Sequence, residues 1–134
     1  MQIAKGTIVA VADGENLNMF RNDGDGSAID LTALPVADVD SSNSGSGGRH
    51  HSSSANPDNA QQDEDRFSAG IVSNLNRQVL EGKIEKLLIV AAPRTLGELR
   101  KHYHKNLTAI LVGEIDKDLT GHSLQDIEKA VHAH

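Results

Sequence analysis

Residues 87–100 read Leu87-Leu88-Ile89-Val90-Ala91-Ala92-Pro93-Arg94-Thr95-Leu96-Gly97-Glu98-Leu99-Arg100. An unbroken apolar run ends at Ala92, Pro93 stops it, and Thr95 stands three residues ahead of Glu98. This is the pattern of a buried parallel strand feeding a helix. Thr95 and Glu98 have the spacing of a capping box, which places the predicted helix over Leu96–His104. The crevice beyond the carboxyl end of such a strand is where α/β folds usually bind ligands, and Arg94 falls there.

Working outward, Thr108–Ile115 reads as a second mostly apolar strand. Ser123-Leu124-Gln125-Asp126 resembles another capping box, opening a helix with Leu124, Ile127 and Val131 on one face. Upstream, Phe67, Ile71, Leu75 and Val79 recur every four residues, with Val72 beside them, which predicts a helix from Asp63 to a C-terminal Gly82. The first third is different. Thr7–Ala12 reads as a buried strand, Leu17–Asn22 as a second, and Ala28–Leu34 as a third. Asp23-Gly24-Asp25-Gly26 supplies a hairpin turn, and Pro35 ends the third strand or puts it at an edge. The order β-β-β-α-β-α-β-α predicts a single α/β domain over residues 1–134. Its mixed five-stranded sheet has the order 3-2-1-4-5, with helices on its faces, a layout similar to ribonuclease-H-like domains.

Residues 40–62 break this pattern. Ser41-Ser42-Asn43-Ser44-Gly45-Ser46-Gly47-Gly48 and Ser52-Ser53-Ser54 offer almost nothing to bury. The composition predicts a flexible Ser/Gly-rich loop, because ordering it costs more entropy than burial returns.

Composition limits the function classes. The chain has 134 residues, enough for one core. It has no cysteine, which excludes disulfides, thiol catalysis and Cys-ligated zinc. No apolar run approaches the roughly 18–20 residues of a membrane span, so a soluble cytoplasmic protein is expected. The net charge of −6 opposes sequence-independent nucleic-acid binding by the surface as a whole. Cations do gather in the second half, at Lys83, Lys86, Arg94, Arg100, Lys101, Lys105 and Lys117, with acids between them.

In the predicted layout three strand ends lie together, carrying Asp13-Gly14, Pro93-Arg94-Thr95 and Asp116-Lys117-Asp118. Arg94 presents a planar fork for phosphate or carboxylate, and the N-terminus of the helix after it adds positive potential. Arg94 either binds an anion there or pairs with Asp13, Asp116 or Asp118 and holds the sheet end together. The three acids could also converge on Mg²⁺ for phosphoryl chemistry. The histidine pairs His50-His51, His102 with His104, and His132 with His134 are poorly spaced to share a metal, so no metal or cofactor is expected. Gly47, Gly48 and Arg49 form the other candidate binding element, where glycines allow close backbone approach.

The chain resembles the bacterial host attachment protein family along nearly its whole length. The resemblance rests on Lys5-Gly6-Thr7 with Val11-Ala12-Asp13-Gly14, on Asp65-Arg66-Phe67-Ser68, on Ala92–Arg100, and on Glu114-Ile115-Asp116-Lys117-Asp118-Leu119-Thr120. That family is similar to the middle domain of archaeal and eukaryotic peptide-chain release factors, where a Gly-Gly-Gln loop ahead of a long helix promotes peptidyl-tRNA hydrolysis. Gly47-Gly48 would match the two glycines, with Arg49 in place of Gln. The resemblance implies an ancestral ribosome- or RNA-binding platform. Joined to the strand-end reading, it leads to the expectation of a non-enzymatic binding module for RNA, the ribosome or another anionic or protein partner, with binding residues Asp13, Arg94, Thr95, Lys117 and Asp118 at the strand ends and Gly47, Gly48 and Arg49 in the loop. The alternative is a hydrolase acting on a phosphoester or a peptidyl or aminoacyl ester.

Overall fold

The computed structural model describes residues 1–25, 28–35 and 57–134, with 57–61 as backbone alone. The elements are β1 (Ile8–Ala12), β2 (Leu17–Asn22), β3 (Leu31–Ala33), α1 (Pro57–Leu80), β4 (Leu87–Ala91), α2 (Pro93–Arg100), α3 (Lys105–Ile110), β5 (Leu111–Ile115) and α4 (Leu124–Ala133). The sheet order is β3-β2-β1-β4-β5, as the sequence predicts. β1 pairs antiparallel with β2 and parallel with β4, in the register Ile8↔Leu87 to Ala12↔Ala91. β5 runs parallel to β4 at one edge, and β3 closes the other.

Every residue of β1 and β4 is buried, because helices cover both faces of the sheet centre. Alternate residues feed two cores. Ile8, Ala10, Leu87 and Ile89 pack beneath Ile71, Val72 and Leu75 of α1, Leu96 and Leu99 of α2, and Leu107 of α3. Val9, Val11, Leu88 and Val90 pack on the other face with Ile115, Leu119, and Ile127 and Val131 of α4. Each fully buried Leu or Ile contributes on the order of 2 kcal/mol through apolar surface removed from water.

Three boundaries differ from the sequence-based expectation. α1 begins at Pro57 rather than Asp63, so residues 57–62 are helical and not loop; proline suits the first helical position because its missing N–H has no partner to lose there. The expected helix over Leu96–His104 and strand from Thr108 resolve into two short helices and a shorter strand. α3 takes Thr108 to Ile110, and β5 starts at the next residue, with no loop between them. The expected third strand shortens to Leu31–Ala33. The end of α1 is as expected. Gly82 has φ +78, with Lys83 N–H donating to Gln78 C=O (2.9 Å) and Gly82 N–H to Val79 C=O (3.1 Å), a Schellman closure.

The β3 edge carries a specific cap. Asp30 and Leu34 bond inward to β2, so Leu31 turns its N–H outward, where the Glu128 carboxylate of α4 accepts it at 2.8 Å.

Candidate functional site at the strand ends

The carboxyl ends of β1, β4 and β5 share one edge of the sheet, and the chain leaves them through Asp13, Ala92-Pro93 and Asp116. Asp13 organises the turn into β2. Its Oδ1 accepts from the backbone N–H of Glu15 (2.7 Å) and Asn16 (2.6 Å). Its Oδ2 accepts from the Thr120 hydroxyl at 2.7 Å. Burial pushes the Asp13 carboxyl up, but the Glu15 amide, the Thr120 hydroxyl and Asn16 together outweigh it, and the net displacement is below the ordinary aspartate value. Asp13 is thus an ionised hub with both oxygens engaged.

Thr120 also stands 2.7 Å from Asp118 Oδ1, and its amide lies 3.3 Å from the same atom. One hydroxyl therefore draws together two of the expected site residues, Asp13 and Asp118. Asp116 and Lys117 are exposed beside them. Among the described residues no group of three or more acids or histidines could hold a metal ion. The possible convergence of Asp13, Asp116 and Asp118 on Mg²⁺ is therefore not formed.

Arg94 lies elsewhere on the same edge. α2 begins at Pro93, with Ala92 as its N-cap (φ −59, ψ 154) and no side-chain capping bond. The expected Thr95–Glu98 capping box is absent because Pro93, with φ preset near the helical value, starts the helix earlier and leaves Thr95 inside the first turn. Arg94 is exposed in that turn. Among the described residues it makes no hydrogen bond or ion pair, so none of Asp13, Asp116 and Asp118 neutralises it.

A cleft of about 30 Å³ lies beside Arg94, lined also by Gly14, Glu64, Asp65, Ser68, Thr95 and Glu98. α1 passes so close that a Cβ on Gly14 would sit 2.8 Å from Glu64 Cγ. The space suits a water molecule, not a metabolite. A larger hollow of about 520 Å³ lies on the opposite face between Ile29 and α4, away from the strand ends. The strand-end edge among the described residues is therefore a surface with one small cleft beside an exposed arginine. Arg94 shares this cleft with three acids, Glu64, Asp65 and Glu98, of which Glu98 pairs with Lys101 at 2.9 Å.

Of the expected site residues, Asp13 and Asp118 come together, Arg94 and Thr95 share the α2 turn, and Lys117 is exposed nearby. Gly47, Gly48 and Arg49 lie outside the described residues. Thr120 and Glu64 escaped sequence reasoning as site-forming side chains. The only signal for Thr120 is its place at the end of Asp116-Lys117-Asp118-Leu119-Thr120.

Residues 6–131 match the family described as bacterial archaeo-eukaryotic release factor family 12. An uncharacterized protein of Rickettsia prowazekii (strain Madrid E) is 38% identical over 53 residues, a match covering 40% of this chain and 35% of that relative. The chain thus spans about a third of that relative's length. No described helix is long and apolar enough to cross a membrane. With the family match covering almost the whole fold, this chain belongs to bacterial archaeo-eukaryotic release factor family 12.

Proposed function

We propose that the protein is a non-enzymatic binding module of the translation apparatus that engages the ribosome through the strand-end edge. The observation that carries this reading is Arg94. It is exposed, has no partner among the described residues, and stands in the first turn of α2 beside a cleft only water-sized. A planar guanidinium at a helix N-terminus suits the phosphates of a large ligand. Lys117 adds a second cation, and the Asp13–Thr120–Asp118 linkage holds the loop that carries it. Thr95 belongs to the same turn as Arg94. Gly47, Gly48 and Arg49 extend the proposed surface by resemblance to release factors. Arg49 in place of glutamine is the reason to propose binding without peptidyl-tRNA hydrolysis. An effect on attachment to host cells would then be indirect, through translation.

Sedimentation with purified bacterial ribosomes tests the reading. The protein should pellet with ribosomes at low salt, less so as salt rises, and Arg94→Ala should reduce pelleting about tenfold, the loss of one charge-assisted contact. Protein that stays in the supernatant at low salt overturns the reading. Peptidyl-tRNA hydrolysis above background overturns its non-enzymatic part.

A further inference from the structure

The turn joining α2 to α3 is a second charged feature that the strand-end site does not use. From Leu99 to Gly113 the chain has no acidic residue, although its net charge is −6. Within that stretch Arg100, Lys101, His102, His104 and Lys105 are all exposed. Arg100 pairs with Glu114 at 2.7 Å and Lys101 with Glu98 at 2.9 Å, which leaves His104 and Lys105 without an ion pair among the described residues.

This turn is rigid. Asn76 of α1 grips it from both sides: its Nδ2 donates to His102 C=O at 3.2 Å, and its Oδ1 accepts from His104 N–H at 3.2 Å. Tyr103 anchors the centre, its hydroxyl donating to Glu114 at 2.7 Å. His104 Nδ1 accepts from Asn106 N–H at 3.2 Å, capping α3. That bond assigns the neutral ring's hydrogen to Nε2, so His104 offers an N–H donor without needing a charge. Binding to such a turn costs little ordering entropy.

The turn also lines up with Arg94. Lys101 follows Arg94 by seven positions in continuous helical backbone, its own φ being −66 and ψ −19. Seven residues bring it to nearly the same side of the helix, about 10 Å further along the axis. Lys101 is 67% exposed and Glu98 only 20%, so a phosphate reaching Lys101 competes with that carboxylate.

We infer that Arg94, Lys101, His104 and Lys105 form a track for the phosphodiester backbone of single-stranded RNA, running from the strand-end edge down α2 onto the Asn76-braced turn. The inference rests on the ribosome-binding reading and names the chemistry that it would contact. A polymer with one charge per repeat fits cations spaced along a line better than a single phosphate does.

Fluorescence anisotropy with a labelled oligouridylate, from about 50 to 200 mM salt, tests it. Wild-type protein should bind with an affinity that falls as salt rises. The double variant Lys101→Gln/Lys105→Gln changes only exposed side chains and should lower the slope of log affinity against log salt by about 1.4, two phosphate contacts at about 0.7 each. Asn76→Ala should weaken binding without changing that slope. An unchanged slope in the double variant overturns the track, whatever Arg94→Ala does. Equal affinity for poly-glutamate overturns the assignment to RNA. Failure of wild-type protein to bind oligouridylate also overturns the track. Ribosome pelleting that persists in that case leaves the ribosome-binding reading standing.

Discussion

The Thr120 hydroxyl and the Asp13 carboxylate lie 2.7 Å apart although 107 positions separate them in the chain. β4 stands between the strands that they follow, so this bond spans the strand-end edge and fastens the loop after β5 to the turn after β1. Asp118 joins the same hydroxyl.

Thr120→Val keeps the shape and removes the bond. It should cost about 1 kcal/mol, a few degrees of melting temperature. The cost should depend on pH. Asp13 is held below its ordinary value of 3.8 in the fold. Its contribution is therefore complete above that value and is lost as pH falls through the lower folded one. Urea unfolding at pH 7 and near pH 3 should show the difference between wild type and variant narrowing in acid.

Tyr103 is the one tyrosine of the chain, and tryptophan is absent, so ultraviolet titration reads this phenol alone. Burial first, and the Glu114 carboxylate that accepts its hydrogen second, push it above its ordinary value of 10.0, against a smaller opposite pull from Arg100. Phenolate absorbance should therefore stay absent at pH 10 and appear together with loss of helix by circular dichroism. A reversible transition at pH 10 in folded protein would refute this. Glu114 itself is held below its ordinary 4.5, chiefly by Arg100 and further by Tyr103, against burial. Its contribution to stability is complete above that value and fades as pH falls through the folded one.

Two glycines that look alike in sequence should respond differently to alanine. A Cβ at Gly24 would lie 2.0 Å from the Ala28 carbonyl oxygen, which backbone cannot readily vacate. Gly24→Ala should cost about 2 kcal/mol or more. At Gly14 the obstacle is the Glu64 side chain, which can swing aside, so Gly14→Ala should cost well under about 1 kcal/mol. Equal losses in denaturant midpoint would contradict the contrast.

Ser123 and Thr95 make a second matched pair. The Ser123 hydroxyl accepts from Asp126 N–H at 3.1 Å and caps α4, so Ser123→Ala should lower stability by about 1 kcal/mol. Thr95 caps nothing, and Thr95→Ala should leave the melting temperature nearly unchanged. The reverse ranking would restore the capping box suggested by the sequence.

Such pairs separate what the sequence carries from what only the folded chain shows. Sheet order was legible because β1 and β4 are continuous apolar runs and the β1–β2–β3 meander has tight turns. Strict burial on both faces leaves such runs few other homes. The α3–β5 junction was hidden because Ala109-Ile110-Leu111-Val112 carries no turn residue, and only the backbone at Leu111 (φ −76, ψ 115) separates helix from strand. Thr95 has the capping-box spacing to Glu98, but Pro93 opens the helix before it. The site was legible as a location, since strand ends are fixed by topology. Its wiring was not, because Thr120 and Glu64 act through contacts between residues distant in sequence. Asn76 is the plainest case: one polar position on an amphipathic helix gives no hint that it braces a turn more than two dozen residues later.

The carboxylate that Glu128 places on the outward N–H of Leu31 bears on how the molecule meets copies of itself. An edge strand recruits other strands through such unsatisfied donors. Here one donor is filled by a charge delivered from a helix, so an incoming strand would have to displace a carboxylate and leave it beside its own backbone. Loss of the last helix would therefore uncover this donor of the short β3 edge and open it to pairing with another strand.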